Sequence, residues 1–194
     1  QMMFFTLDPT GALFFALMAL IAPVVYYNGL WYLDEETPKQ KRMYNALLVL
    51  LNASIACVYF SNNVAVTWIF LEATTLCTAG LIYHRRNQRS LEATWKYIFV
   101  CSVGIAIAYL GILLMGGMAV NNSLEYTTLG GALAAGSPLF LKIAFLFILT
   151  GYSCKMEVFP LYTIGVDANF AAPAPASAFI STALVNAGFV ALFR

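Results

Sequence analysis

Apolar positions in this chain come as long runs rather than in strict alternation. Six can be drawn, at about 11–33, 44–61, 64–83, 95–117, 137–164 and 174–193. Runs of this length are what a helix needs to cross a hydrocarbon core of about 30 Å. The pattern predicts an all-α fold, a polytopic transmembrane helical bundle forming one domain over residues 1–194. The connections differ in charge. Lys39, Lys41 and Arg42 fall in the first, and Arg85, Arg86, Arg89 and Lys96 around the third, whereas Asn62-Asn63 and residues 118–136 carry no Lys or Arg. The positive-inside bias therefore assigns loops 34–43 and 84–96 to the cytoplasm and the N-terminus and Arg194 to the outside. Residues 118–136 become an external loop, irregular or with a short surface helix. The start, QMMFF, has neither a basic stretch nor a small-residue cleavage site and does not read as a signal peptide.

Two runs break their own apolar pattern. In 64–83 the single charge is Glu72, about 12 Å of helix rise from Val64 and so near mid-membrane. Inserting a carboxylate there costs on the order of 3 kcal/mol, so such a group faces a bundle interior and marks an ion or proton route. The competing reading is a protonated carboxyl that hydrogen-bonds a neighbouring helix. Run 137–164 would measure about 42 Å as one helix and contains Lys142, Lys155, Glu157 and Pro160. Gly151, Ser153 and Pro160 bracket Lys155, which predicts a helix broken near 151–160 where protein or a wet cavity shields the freed backbone. Its competitor is an ordinary proline kink with Lys155 snorkelling to the surface. Pro173 and Pro175 then force an extended stretch. In the last run the strongly polar side chain is Asn186, among Ser177, Ser181, Thr182 and Gly188, a face that suits helix packing as well as water.

Composition removes most other classes. Hydrophobic residues make up 61% and charged ones 10%, with a mean hydropathy of +0.79, far from the roughly one-quarter charged residues of soluble domains. A net charge of +1 offers no basic surface for nucleic acid. Cys57, Cys77, Cys101 and Cys154 lie inside apolar runs at spacings that fit neither a metal site nor a disulfide framework, and read as small core residues. With His84 as its one histidine, the chain is not expected to hold haem, an iron-sulfur cluster or zinc by itself. No serine-histidine-acid set, phosphate loop or carboxylate pair supports an enzyme acting on a soluble substrate. The membrane-depth polar residues, Glu72, Lys142, Lys155 and Asn186, with Lys96 and Ser181 beside them, form the candidate ion pathway. Opposite charges in one bundle tune each other's protonation and can exchange a proton.

The runs WIFLEATTLCTAGLIYHRR, SLEATWKYIFVCSVGIAIAYLG and LKIAFLFILTGYSCKMEVFPLYTIGVDANFAAPAPASAFISTALVNAGFVALFR resemble the antiporter-like subunits shared by respiratory complex I, Mrp-type antiporters and membrane-bound hydrogenases. Within that group the chain is most similar to the component F type of hydrogenase-4 and formate hydrogenlyase complexes. The resemblance, from about Phe5 to Arg194, implies that Glu72 falls at the family's glutamate of its fifth helix, Lys96 at the lysine of the sixth and Lys155 at that of the broken seventh. Asn186 stands where complex I subunits commonly have lysine or histidine, and Tyr162 and Asn169 where two histidines are common. Asparagine carries no proton charge and only holds water. The resemblance further implies proton or sodium translocation in a membrane-bound redox complex of the inner membrane. Other membrane subunits and a peripheral redox arm would be the partners, and nickel-iron centre, iron-sulfur clusters or quinone would sit only in those partners. Alternatives are a free-standing Mrp-type cation/proton antiporter, or a membrane anchor that has lost ion transfer. Family members have about fourteen helices, so this chain is expected to be a fragment covering helices three to eight.

Overall fold

A computed structural model of the protein describes residues 4–34, 36–119, 124–134 and 137–194, without the side chains of 131–134. Among these residues the fold is helical, with two isolated β-bridges, Phe5 to Ser61 and Asn63 to Glu125. The long helices are α1 (Pro9–Tyr32), α2 (Pro38–Phe60), α3 (Val64–Ile82) and α4 (Gln88–Met118). A short α5 (Tyr126–Ala134) follows, then α6 (Pro138–Ser153) and α7 (Tyr162–Ala171). The last span runs through α8 (Ala174–Phe179), a π-helical turn Ile180–Leu184 and α9 (Val185–Phe193). Five helices are long and apolar enough to cross a membrane, and α6 is a shorter apolar helix of 16 residues, about 24 Å.

Each long helix starts on a cap its sequence supplies. Asp8 accepts from Gly11 N ahead of Pro9, Asn63 accepts from Ala65 N and Val66 N, and Asn87 and Ser90 form a reciprocal capping box. At α2 Pro38 opens the helix, and Thr37 N and Oγ1 both donate to Gln40 Oε1. These caps explain why α2 and α4 begin at residues 38 and 88, ahead of the apolar runs at 44 and 95. Their first turns are polar and leave no hydropathy signal. Within residues 118–136 the structure shows α5, which is tied back when Val64 N donates to Leu124 O and Tyr126 N to Asn62 O. Asn121, Asn122 and Gly136, like Gln1–Met2–Met3 of the N-terminal run, lie outside the described residues.

Small residues set the helix spacing at the centre. A Cβ on Gly151 would collide with Gly104 O and Ala108, and one on Gly111 would lie 2.7 Å from both Ala144 O and Ile148 Cγ1. This seam lets α4 and α6 approach closely, the device helices use where lipid offers no hydrophobic drive to associate. The α8–α9 span closes the bundle against α1, α2, α3 and α6. Leu20, Leu30, Trp31 and Phe99 are exposed on the outside, as a lipid-facing surface requires. At the basic-loop end, buried His84 bonds Glu36 through Nε2 and meets the Tyr44 ring edge-on, fastening the α1–α2 connection to the end of α3.

Candidate functional site

The fifth apolar run does break. Helix α6 stops at Ser153 and regular helix resumes only at Tyr162, so Lys155 lies in the non-helical segment. Local bonds recover its backbone: Lys155 N and Met156 N donate to Tyr152 O, Val158 N to Ser153 O and Leu161 N to Val158 O. Glu157 takes a left-handed conformation with φ 52°, and its carboxyl lies against Gly165 of α7, where any Cβ would collide with it. On the far side Gly188 of α9 fits over Lys155 and Met156, leaving a Cβ there only 3.2 Å from Lys155 Cβ. Protein therefore covers the open backbone, the condition under which irregular chain is tolerated at membrane depth.

Lys155 points inward and is 2% exposed, which removes the snorkelling reading. Its Nζ donates to Thr74 Oγ1 of α3 and Tyr97 Oη of α4, each at 3.4 Å. No carboxylate reaches it within ion-pair distance among the described residues. The thiols of Cys101 and Cys154 lie next to it and to each other. The buried Nζ is thus held by neutral groups, with no countercharge in contact among the described residues.

Glu72 is half-buried and does not touch Lys155, although its charge reaches it. Its carboxylate accepts from Ser102 Oγ of α4 at 3.2 Å and from Thr75 Oγ1 at 3.4 Å. Glu72 and Thr74 are two residues apart, hence about 200° around α3, so the glutamate and the lysine's partner project from different sides of that helix. The glutamate shares its flank with Ile69 and Leu76, which are 55% and 62% exposed. The expected Glu72–Lys155 pair is therefore a separated one, with the hydroxyls of α3 and α4 on either side.

The remaining candidates disperse. Lys96 lies eight residues into α4, which starts at Gln88, and it pairs with Glu92 at 2.7 Å and Asp167 of α7 at 3.4 Å, not with the pathway carboxylate Glu72. Lys142 is exposed in the first turns of α6 and has no polar partner among the described residues, so it stands on the outer face. Ser181, in the π-helical turn, is exposed and donates to Asn169 Oδ1 at 3.0 Å, as does Ser177. Asn186 is half-buried without a side-chain hydrogen bond among the described residues. Sequence reasoning missed Thr74, Tyr97 and Ser102. The one available signal was that four threonines, Thr67, Thr74, Thr75 and Thr78, all lie within a single apolar run, and all four are buried. No group of three or more His, Cys, Asp or Glu side chains is placed to hold a metal ion among the described residues.

Fold and site together define a class: a polytopic helical membrane protein that buries a lysine at a broken helix. Residues 61–194 match the family described as NADH:quinone oxidoreductase/Mrp antiporter, TM, and the chain belongs to that family. It is 35% identical over 161 residues to the hydrogenase-4 component F homolog of Methylacidiphilum infernorum (isolate V4), which covers 78% of this chain and 32% of that protein. Identity is 33% over 150 residues to NADH-quinone oxidoreductase subunit N of Ectopseudomonas mendocina (strain ymp), covering 76% and 30%. The fold is similar to a chain of the membrane-bound sulfane sulfur reductase, an archaeal respiratory membrane complex, with a TM-score of 0.81, 26% identity and coverage of 93% and 37%. A chain of respiratory complex I from Thermus thermophilus gives the same TM-score at 21% identity, covering 100% and 42%, a likeness of fold. The chain spans about a third of the length of the curated relatives it matches. The family resemblance drawn from the residues is borne out.

Proposed function

We propose that this chain is the ion-translocating core of an antiporter-like subunit in a multisubunit membrane redox complex, of the hydrogenase-4 component F type. The observation that carries the reading is Lys155: an ammonium 2% exposed, at a helix break, facing hydroxyls and no contacting carboxylate. With no countercharge in contact, a field or a neighbouring charge that comes and goes changes which protonation state is favoured there. Glu72, held by Ser102 and Thr75, is the second station. The transported ion is a proton or a sodium ion. Nickel-iron centres, iron-sulfur clusters or quinone belong to partner subunits, in a peripheral arm and the adjoining membrane part. The complex lies in the inner membrane with the basic segments 34–43 and 84–96, each a connection and the first turns of the helix after it, on the cytoplasmic side.

A second reading, a membrane anchor that has lost ion transfer, is favoured by one observation. Asn186 and Asn169 have no ionisable side chain and Tyr162 is not a basic one, at the places where the family resemblance implies lysine or histidine. Purification of the full-length subunit in mild detergent, followed by reconstitution of the complex it brings along, separates these. Redox-driven proton or sodium uptake with nickel-iron or quinone-reducing partners is the expected result. An all-membrane assembly that exchanges cations without electron transfer identifies an Mrp-type antiporter instead, and a redox-active complex that moves no ion identifies the anchor.

A further inference from the structure

Lys155 Nζ has three hydrogens to place as an ammonium and one lone pair to satisfy as an amine. Its two hydrogen-bonding partners differ in what they can offer. Thr74 Oγ1 already donates its only hydrogen to Leu71 O at 2.6 Å, so toward Lys155 it acts as an acceptor alone. Tyr97 Oη is not so committed. Its oxygen accepts from Nζ at 3.4 Å, and the ammonium sits off the end of the phenol, farther from the ring centroid at 5.4 Å. The hydroxyl, not the π-face, is the working contact. Beside that hydroxyl lie Cys101 and Thr78, and Thr78 Oγ1 is buried with no hydrogen bond of its own. The phenolic hydrogen thus has somewhere to point when Lys155 is charged.

We propose that Tyr97 is the positioning residue that lets Lys155 lose and regain its proton in place, its hydroxyl accepting from the ammonium and turning to donate to the amine. Thr74, an acceptor alone, takes a hydrogen from either form and leaves the amine's lone pair unserved. The other titratable groups around Nζ are Cys101 of α4, Cys154 of the break, and Cys77 and Glu72 of α3, and none of them hydrogen-bonds it. Without Tyr97 the neutral amine would be left with an unsatisfied lone pair in a site 2% exposed, and the lysine would be held in one state. Tyr97 is itself 4% exposed and wedged in the core, so its ring is fixed while its hydroxyl hydrogen rotates. The inference rests on the reading that Lys155 carries the translocated charge.

The test uses the assembled complex in proteoliposomes, with ion uptake followed against pH. Tyr97→Phe keeps the ring and removes the hydroxyl, and uptake is expected to fall about tenfold, the loss of one hydrogen bond at the rate-limiting state. Wild-type uptake in Tyr97→Phe while Lys155→Met is inactive would overturn the role of Tyr97 and leave that of Lys155 standing. Wild-type uptake in Lys155→Met would overturn the functional reading beneath it. Should Tyr97→Phe fail to assemble, 3-fluorotyrosine at position 97 preserves the packing and makes the phenol a poorer acceptor and a better donor. The uptake profile is then expected to move to lower pH, and an unmoved profile overturns the proposal.

Discussion

Lys155 and Lys96 lie in one bundle and have opposite surroundings. Lys96 is half-exposed and sits between two carboxylates, Glu92 one turn earlier on its own helix and Asp167 on α7. Lys155 is buried and, among the described residues, hydrogen-bonds only hydroxyls, with the Glu72 carboxylate held off on another side of α3. A lysine with carboxylates in contact stays charged through every physiological change of pH, and its service is mechanical. Here it ties the half-helix α7 to α4. A lysine denied such contact has no fixed countercharge, so its protonation answers to whatever charge comes near. The difference teaches that what a chain withholds from a buried charge matters as much as what it supplies.

Lys155→Met breaks the comparison most severely. The thioether fills the stem's volume without a charge, so the bundle assembles while uptake falls by more than about a hundredfold, the scale on which one titrating station is lost. Measured uptake within a few fold of wild type, with normal assembly on native gels, would return Lys155 to a structural role. Glu72→Gln is the milder case. Gln retains size and still accepts from Ser102 and Thr75, but it does not ionise. Because Glu72 is half-buried and separated from Lys155, water and neighbouring groups compensate in part, and uptake should drop about tenfold rather than vanish. A loss as complete as that of Lys155→Met would mean that the two act as one tight unit, and the separation seen here would then be the resting state of a pair that closes.

How far the sequence showed this contrast depends on what kind of quantity is asked for. Position along a helix is a matter of counting, so the bundle, the break around Lys155 and the mid-helix place of Glu72 were legible from run lengths, Gly151 and Pro160. The face a residue presents is set by helix rotation, which uniformly apolar runs do not encode. Lys142 was read as part of an inner pathway and is exposed on α6, and Tyr97 adjoins Lys96 in sequence yet faces the core while Lys96 faces away. Helix starts were missed for a related reason: the capped polar turns before residues 44 and 95 project beyond the apolar span and carry no hydropathy. The π-helical turn at Ile180–Leu184, where the Ala183 carbonyl is free to accept from Tyr59 Oη at 2.9 Å, left no mark in composition at all.

The smallest expected effect sharpens the comparison from the other side. Lys96→Ala removes the ammonium that Glu92 and Asp167 share, at a place where the three side chains are 52%, 64% and 47% exposed. Exposed ion pairs are screened by solvent and salt and contribute little, and an i,i+4 pair along one helix is among the weakest. Uptake should therefore change by less than about twofold, and the pH dependence should keep its shape, because no exchanging proton passes through this lysine. The companion variant Asp167→Asn, which cuts only the link between α7 and α4, should behave alike. If Lys96→Ala instead matches Glu72→Gln, with Asp167→Asn unaffected, the lysine acts on the route through its charge rather than through its tether to α7. Lys96 and Lys155 would then be successive stations, and the carboxylates around Lys96 would be the resting place of its charge between transfers.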